Sequence, residues 1–145
     1  MANEQFLVPL AVIKRDDKLL LVFKHTSSAV MCTNKWEIPG SRIEFGLSLE
    51  ESLIAKTKRA LGIDITIKEV LGNIYSSVSD KIDGTGQVQY FIVPVLCQTD
   101  ATDFVIDRSK LREARWFSLA EIEDLYAKGE LVDLNDLDIA RHMLT

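Results

Sequence analysis

Two apolar rhythms alternate along this chain. Phe6–Ile13 is an apolar, β-branched run that predicts a strand, and Lys18–Phe23, rich in Leu and Val, predicts its return after a turn at Lys14-Arg15-Asp16-Asp17. Residues 1–5 read as a loose start, and His25–Asn34, without a clear period, as a loop. The rhythm then changes. Leu49, Leu53, Ile54 and Leu61 recur at helical spacing. Ser48 supplies an N-cap, with Glu51 three residues on to reach back to its amide. Gly62 suits the left-handed position that closes a helix. Ahead of this helix, Pro39-Gly40-Ser41 reads as a turn, followed by a short extended run and a second glycine, Gly46.

Beyond the helix the period returns to two. Ile63, Ile65 and Ile67 alternate with polar residues, predicting a half-buried strand within Asp64–Gly72. Asn73–Asp80 is a weaker extended stretch, and Asp83-Gly84-Thr85-Gly86 a hairpin-type turn. Val88–Cys97 is almost continuously apolar, as a central strand is, although Pro94 within it calls for a bulge or an edge on one side. Thr99–Asp107 reads as an acidic, polar loop, and Glu113–Phe117 as a short strand. Ser118 with Glu121 forms a second capping pattern, opening a helix to about Ala127 that Gly129 stops. A last helix runs from Asn135 or Asp136 to Met143.

With 145 residues the chain suits one domain spanning 1–145 with its own core. A net charge of −5 offers no basic footprint for nucleic acid, and the N-terminal region lacks an apolar run of signal or membrane length. Cys32 and Cys97 lie far apart, without metal-ligand spacing. A reducing, cytoplasmic setting is the simplest expectation.

The stretch Trp36–Ile63, WEIPGSRIEFGLSLEESLIAKTKRALGI, carries a strand–loop–helix that resembles the Nudix box of the MutT-like pyrophosphohydrolases. That pattern is a glycine, five residues, a glutamate, seven residues, then Arg-Glu-hydrophobic-x-Glu-Glu-x-Gly-hydrophobic. Trp36, Pro39, Gly40, Glu44, Gly46, Gly62 and Ile63 all fall in frame. The charged positions do not follow. The pattern's first glycine is Ser41, its first glutamate Leu47 and its arginine Ala55, and the helix glutamates fall on Lys56, Arg59 and Ala60. The resemblance extends over roughly residues 6–143. It implies an α+β Nudix fold, a mixed β-sheet sandwiched between α-helices (an α/β/α sandwich). It also implies homodimers among similar folds, and substrate choice through residues 26–35, 73–87 and 99–110.

In the family the helix glutamates gather Mg²⁺ or Mn²⁺ against a diphosphate, and the metal positions or activates water. The pattern's five charged box positions sum to −3. Here, as Leu47, Ala55, Lys56, Arg59 and Ala60, they sum to +2. At about 4 Å and an effective dielectric near 20, each like-charge pair with a cation costs about 4 kcal/mol. No metal and no cofactor are therefore expected, and no catalytic residue is assigned.

Three functional readings stay open. In the first, the pocket has exchanged a metal for cations and takes a nucleotide or other phosphorylated small molecule through Gly40, Ser41, Arg42, Glu44, Lys56 and Arg59. In the second, a working pyrophosphohydrolase uses relocated acids such as Glu44, Asp103, Asp107 or Glu113, with Mg²⁺ or Mn²⁺. In the third, the chain is a scaffold or protein-interaction domain with an idle pocket. Against the first stands a plainer reading of Lys56, Lys58 and Arg59 as a solvated helix face suited to the helix dipole. Glu50 and Glu51 read as first-turn and capping residues, Ser41 as a turn residue, and Trp36 and Trp116 as packing residues. His25 and His142 have surface or structural roles. Tyr75, Tyr90 and Phe91 could serve a base but read first as core.

Overall fold

The computed structural model describes residues 2–24, 34–81 and 83–145. The expected loop His25–Asn34, apart from Asn34, lies outside the described residues, as do His25 and Cys32. Strands β1 (Glu4–Arg15) and β2 (Lys18–Lys24) form the first hairpin. Strand β3 (Trp36–Glu37) and helix α1 (Leu49–Leu61) follow. Next come β4 (Thr66–Val70), β5 (Tyr75–Asp80), β6 (Gln87–Gln98) and β7 (Leu111–Ser118). Helices α2 (Leu119–Ala127) and α3 (Leu134–Met143) end the chain.

The strands form one mixed sheet in the order β3-β2-β1-β6-β4, with β5 also pairing β6 and β7 pairing β2. Its axis is the parallel pairing of β1 with β6, from Glu4 opposite Val88 to Ile13 opposite Cys97. Alternation divides β1 and β2 between two cores. Ala11, Ile13, Leu20 and Val22 join Leu53 and Leu61 of α1. Leu10, Val12, Leu19 and Leu21 meet Ile122 and Leu125 of α2 and Leu137, Ile139 and Ala140 of α3. The two faces are thus covered by α1 on one side and α2 with α3 on the other, an α+β sandwich as expected.

Several boundaries differ from the sequence expectation, each for a physical reason. The N-terminus is not loose to residue 5, because Glu4 and Gln5 already pair with β6 and the Gln5 amide donates to Gln89. The expected turn at 39–41 is an extended run against β1. The Ala11 N–H donates to the Pro39 carbonyl, Gly40 bridges Leu10, and the Ile43 N–H donates to the Leu7 carbonyl. The reversal comes later, at Phe45-Gly46. Pro94 lies where β4 gives way to β5 along β6, so its missing N–H costs no ladder bond on that side. Helix α3 starts earlier than expected, because the Asp133 carboxylate accepts the Asp136 N–H as an N-cap. Ile54 is off the buried stripe, 39% exposed. The residues of α1 that bury are Ser52, Leu53, Thr57 and Leu61.

Candidate functional site

Helix α1 is secured at both ends. The Ser48 hydroxyl accepts the Glu51 N–H and the Glu51 carboxylate accepts the Ser48 N–H, each at 3.1 Å. Gly62 adopts φ 68°, in the left-handed region, and its N–H reaches the Lys58 carbonyl at 2.8 Å. The loop before β7 completes this end. The Val105 and Asp107 N–H groups take the Leu61 and Ala60 carbonyls, each at 2.9 Å, so helix-end acceptors are satisfied by the loop that carries Lys110.

The extended run 40–44 lies between β1 and α1. Buried Ser52 accepts the Glu44 N–H at 2.9 Å, pinning the run to the helix. Gly40 sits so close to β1 that a Cβ there would strike the Leu10 side chain and lie 2.8 Å from the Pro9 carbonyl oxygen. The Lys56 ammonium donates to the Arg42 carbonyl. One turn on, the Arg59 guanidinium faces the Glu44 carboxylate at 3.4 Å, a long, exposed pair. Gly40, Ser41, Arg42, Glu44, Lys56 and Arg59 are therefore neighbours along one loop–helix seam.

Arg42 does not aim its side chain the same way as Lys56. Its Cζ stands 3.7 Å from the centre of the Phe6 ring, and its Nη2 is 3.5 Å from the Tyr90 hydroxyl. The fixed β1–β6 register places Phe6 directly opposite Tyr90. The sequence pattern marks Phe6 only as a strand residue, and nothing in the spacing of Lys110 relates it to α1. Burial lowers the proton affinity of the Lys56 ammonium; Glu44 opposes this, and Arg59, Lys110 and Arg42 lower it further. Lys56 thus stands within the field of three further cations, Arg59, Lys110 and Arg42, and one carboxylate, Glu44.

This donor set does not fit a divalent ion. The helix residues that contact the run are Ser52, Lys56 and Arg59, and the seam's carboxylate, Glu44, is engaged by Arg59. Three of the other acids considered are committed elsewhere. Asp107 accepts the Ser109 N–H and hydroxyl, Glu113 pairs with Arg115, and Glu51 closes the N-cap. Among the described residues no group of three or more His, Cys, Asp or Glu is placed to hold a metal. A cleft of about 370 Å³ at the C-terminal end of α1 is lined by Asp64, Asp100, Thr66 and Thr99. Its carboxylates disfavour an anion, so the seam is the better candidate for a phosphate.

A second polar group lies beneath the approach to the seam. Buried Asp136 of α3 accepts the Ile38 N–H at 2.8 Å, just before Pro39-Gly40. Buried Glu37 of β3 pairs with Lys24 of β2 at 2.9 Å. Burial raises the proton affinity of both carboxyls. Asp133 and Glu37 push Asp136 further up, against the Ile38 N–H and Lys24. The sequence offers little sign of this, since Asp136 reads as an ordinary first-turn acid.

The remaining candidates are placed as follows. Trp36 packs edge-on between Phe23 and Phe117. Trp116 is half-buried beneath Arg15. Cys97 is buried, its thiol pushed up to about 12 by burial. Tyr75 donates to Asp138, and burial with that carboxylate pushes its hydroxyl up to about 12. His142 is exposed on α3 beside Tyr75. Among the described residues no helix is long and apolar enough to cross a membrane.

Solved structures that superpose on this architecture include Nudix proteins. A NUDIX hydrolase from Nitrosomonas europaea superposes with a TM-score of 0.72 at 24% identity, covering 95% of this chain and 88% of that one. A MutT NUDIX hydrolase from Burkholderia pseudomallei gives 0.68 at 17% identity, covering 97% and 98%. An ADP-ribose pyrophosphatase from Streptococcus suis gives 0.63 at 18% identity, covering 93% and 88%. At these identities the likeness establishes the fold. No curated protein matches the chain. The NUDIX domain matches residues 6–134, nearly the whole length, and the chain belongs to the Nudix family.

Proposed function

We propose that this Nudix-fold protein binds a nucleotide or another phosphorylated small molecule through protein-borne cations, without metal-dependent hydrolysis. One observation carries the reading. The Lys56 ammonium is seated on the Arg42 carbonyl, at the loop–helix seam where relatives of the family gather carboxylates. Arg59 is one turn away, and Lys110 and Arg42 are close enough to lower the Lys56 proton affinity. An ammonium has three donors and a guanidinium five, so bonds to Arg42 and Glu44 leave donors for phosphate oxygens. A phosphate would also relieve the repulsion among these cations. The similar ADP-ribose pyrophosphatase suggests nucleoside diphosphate compounds as first probes. We place this activity in the cytoplasm, where such compounds are abundant and thiols stay reduced.

The test is thermal stability against ADP-ribose, nucleoside diphosphates and triphosphates, and pyrophosphate, in EDTA and in Mg²⁺ or Mn²⁺. Stabilisation that persists in EDTA, is lost in Lys56→Glu and comes without phosphate release supports the reading. A flat response across the panel contradicts it. Turnover in Mg²⁺ or Mn²⁺ would support a working pyrophosphohydrolase with relocated acids. A scaffold role would instead show as a stable protein complex with the panel flat.

A further inference from the structure

We propose that Arg42, seated over Phe6 and beside Tyr90, is a stacking platform for the planar ring of a nucleotide whose phosphates lie on Lys56 and Arg59. This rests on the anion-binding reading above and narrows it, because an inorganic or sugar phosphate would leave the platform unused.

The platform is built by sheet register. Parallel pairing sets Phe6 of β1 beside Tyr90 of β6, with ring centres 6.2 Å apart and planes 30° from parallel. The Arg42 Cζ lies 3.7 Å from the Phe6 ring centre and 5.9 Å from that of Tyr90. The guanidinium is thereby seated on an aromatic ring while the residue itself remains exposed. A flat, delocalised cation offers a planar π-system a ready partner. The apolar floor continues along the same face. Val8 and Ile92 form the next register pair, and Tyr75 lies opposite Ile92, all half-buried.

Position links the platform to the cations. Arg42 supplies both, since its carbonyl takes the Lys56 ammonium and its side chain forms the platform. A ligand spanning the two must carry an anionic end and a planar end one side-chain length apart, as a nucleoside diphosphate does. At the far end of the floor the Tyr75 hydroxyl donates to Asp138.

Calorimetric titration in EDTA with two probes, ADP and pyrophosphate, separates the possibilities. The protein should bind ADP more tightly than pyrophosphate by on the order of tenfold, the size of one base–aromatic stack. Arg42→Lys keeps the charge and removes the plane, so it should bring that ratio toward one. Phe6→Leu should do the same by removing the surface beneath Arg42. Equal binding of both probes by the unaltered protein, or equal weakening of both by Arg42→Lys, would overturn the platform and leave the anion site standing. Failure of pyrophosphate itself to bind would remove the reading beneath it.

Discussion

Replacing Asp136 with asparagine should change the pH dependence of stability in a defined direction. The Asp136 carboxyl is buried, accepts the Ile38 N–H at 2.8 Å, and faces Asp133 of its own cap and Glu37 of β3. Lys24 of β2 is the cation that faces this group. Folding therefore raises its proton affinity well above the ordinary carboxylate value. The folded chain binds this proton more tightly than the unfolded chain does. Its contribution is most favourable below the unfolded value of about 3.9 and declines as pH rises toward the folded value. Within that window the loss is about 1.4 kcal/mol per pH unit for one group. Glu37 is displaced in the same direction and adds to the slope.

An asparagine in this place would keep an acceptor for the Ile38 N–H but would not titrate. The gap between the Asp136→Asn variant and the unaltered protein should therefore shift in the variant's favour as pH rises from the unfolded value of about 3.9 toward the raised folded one. Asp136→Ala removes the acceptor as well, so it should be about 1–3 kcal/mol less stable than Asp136→Asn at every pH, the penalty for a stranded buried N–H. Urea unfolding followed by the fluorescence of Trp36 and Trp116, repeated across that range, measures both effects. Parallel profiles for the unaltered protein and the Asp136→Asn variant would refute the argument, because they would mean that folding does not alter this carboxyl's affinity for protons.

Other expectations follow from single contacts. Gly40→Ala would drive a methyl group into Leu10 and the Pro9 carbonyl, so it should lower stability by about 1–3 kcal/mol in chemical denaturation. Ser48→Ala removes the acceptor for the Glu51 N–H and should cost about 1 kcal/mol. Arg59→Ala breaks an exposed pair with Glu44 and should change stability by less than about 1 kcal/mol. The same variant should weaken pyrophosphate binding in titration, which separates a ligand role from a structural one.

Much of the fold was legible because local rules and global packing agree. Both capping boxes appear as written, with Ser48 and Glu51 on α1 and Ser118 and Glu121 on α2. The long apolar run of β6 is central because β1 covers one edge and β4 with β5 the other. The seam was legible because spacing along one helix puts Lys56 and Arg59 on neighbouring turns. What escaped depends on contacts distant in sequence. Nothing local relates Arg42 to Phe6 and Tyr90, which meet only through the parallel β1–β6 register. Asp136 lies in a polar stretch, and only the docking of α3 against β3 makes it a buried carboxyl. Ile54 misled because its apolar side chain fits a helical stripe, while the buried one is centred on Leu53, Thr57 and Leu61.

The most direct measurement is the melting temperature with and without a nucleoside diphosphate in the presence of EDTA. At a ligand concentration a hundred times the dissociation constant, binding stabilises the fold by about 2.7 kcal/mol. In a domain of this size that corresponds to a rise of roughly 10 °C. The account predicts that rise without metal and its loss in Lys56→Glu. A rise that appears only when Mg²⁺ or Mn²⁺ is added, accompanied by release of phosphate, would contradict it.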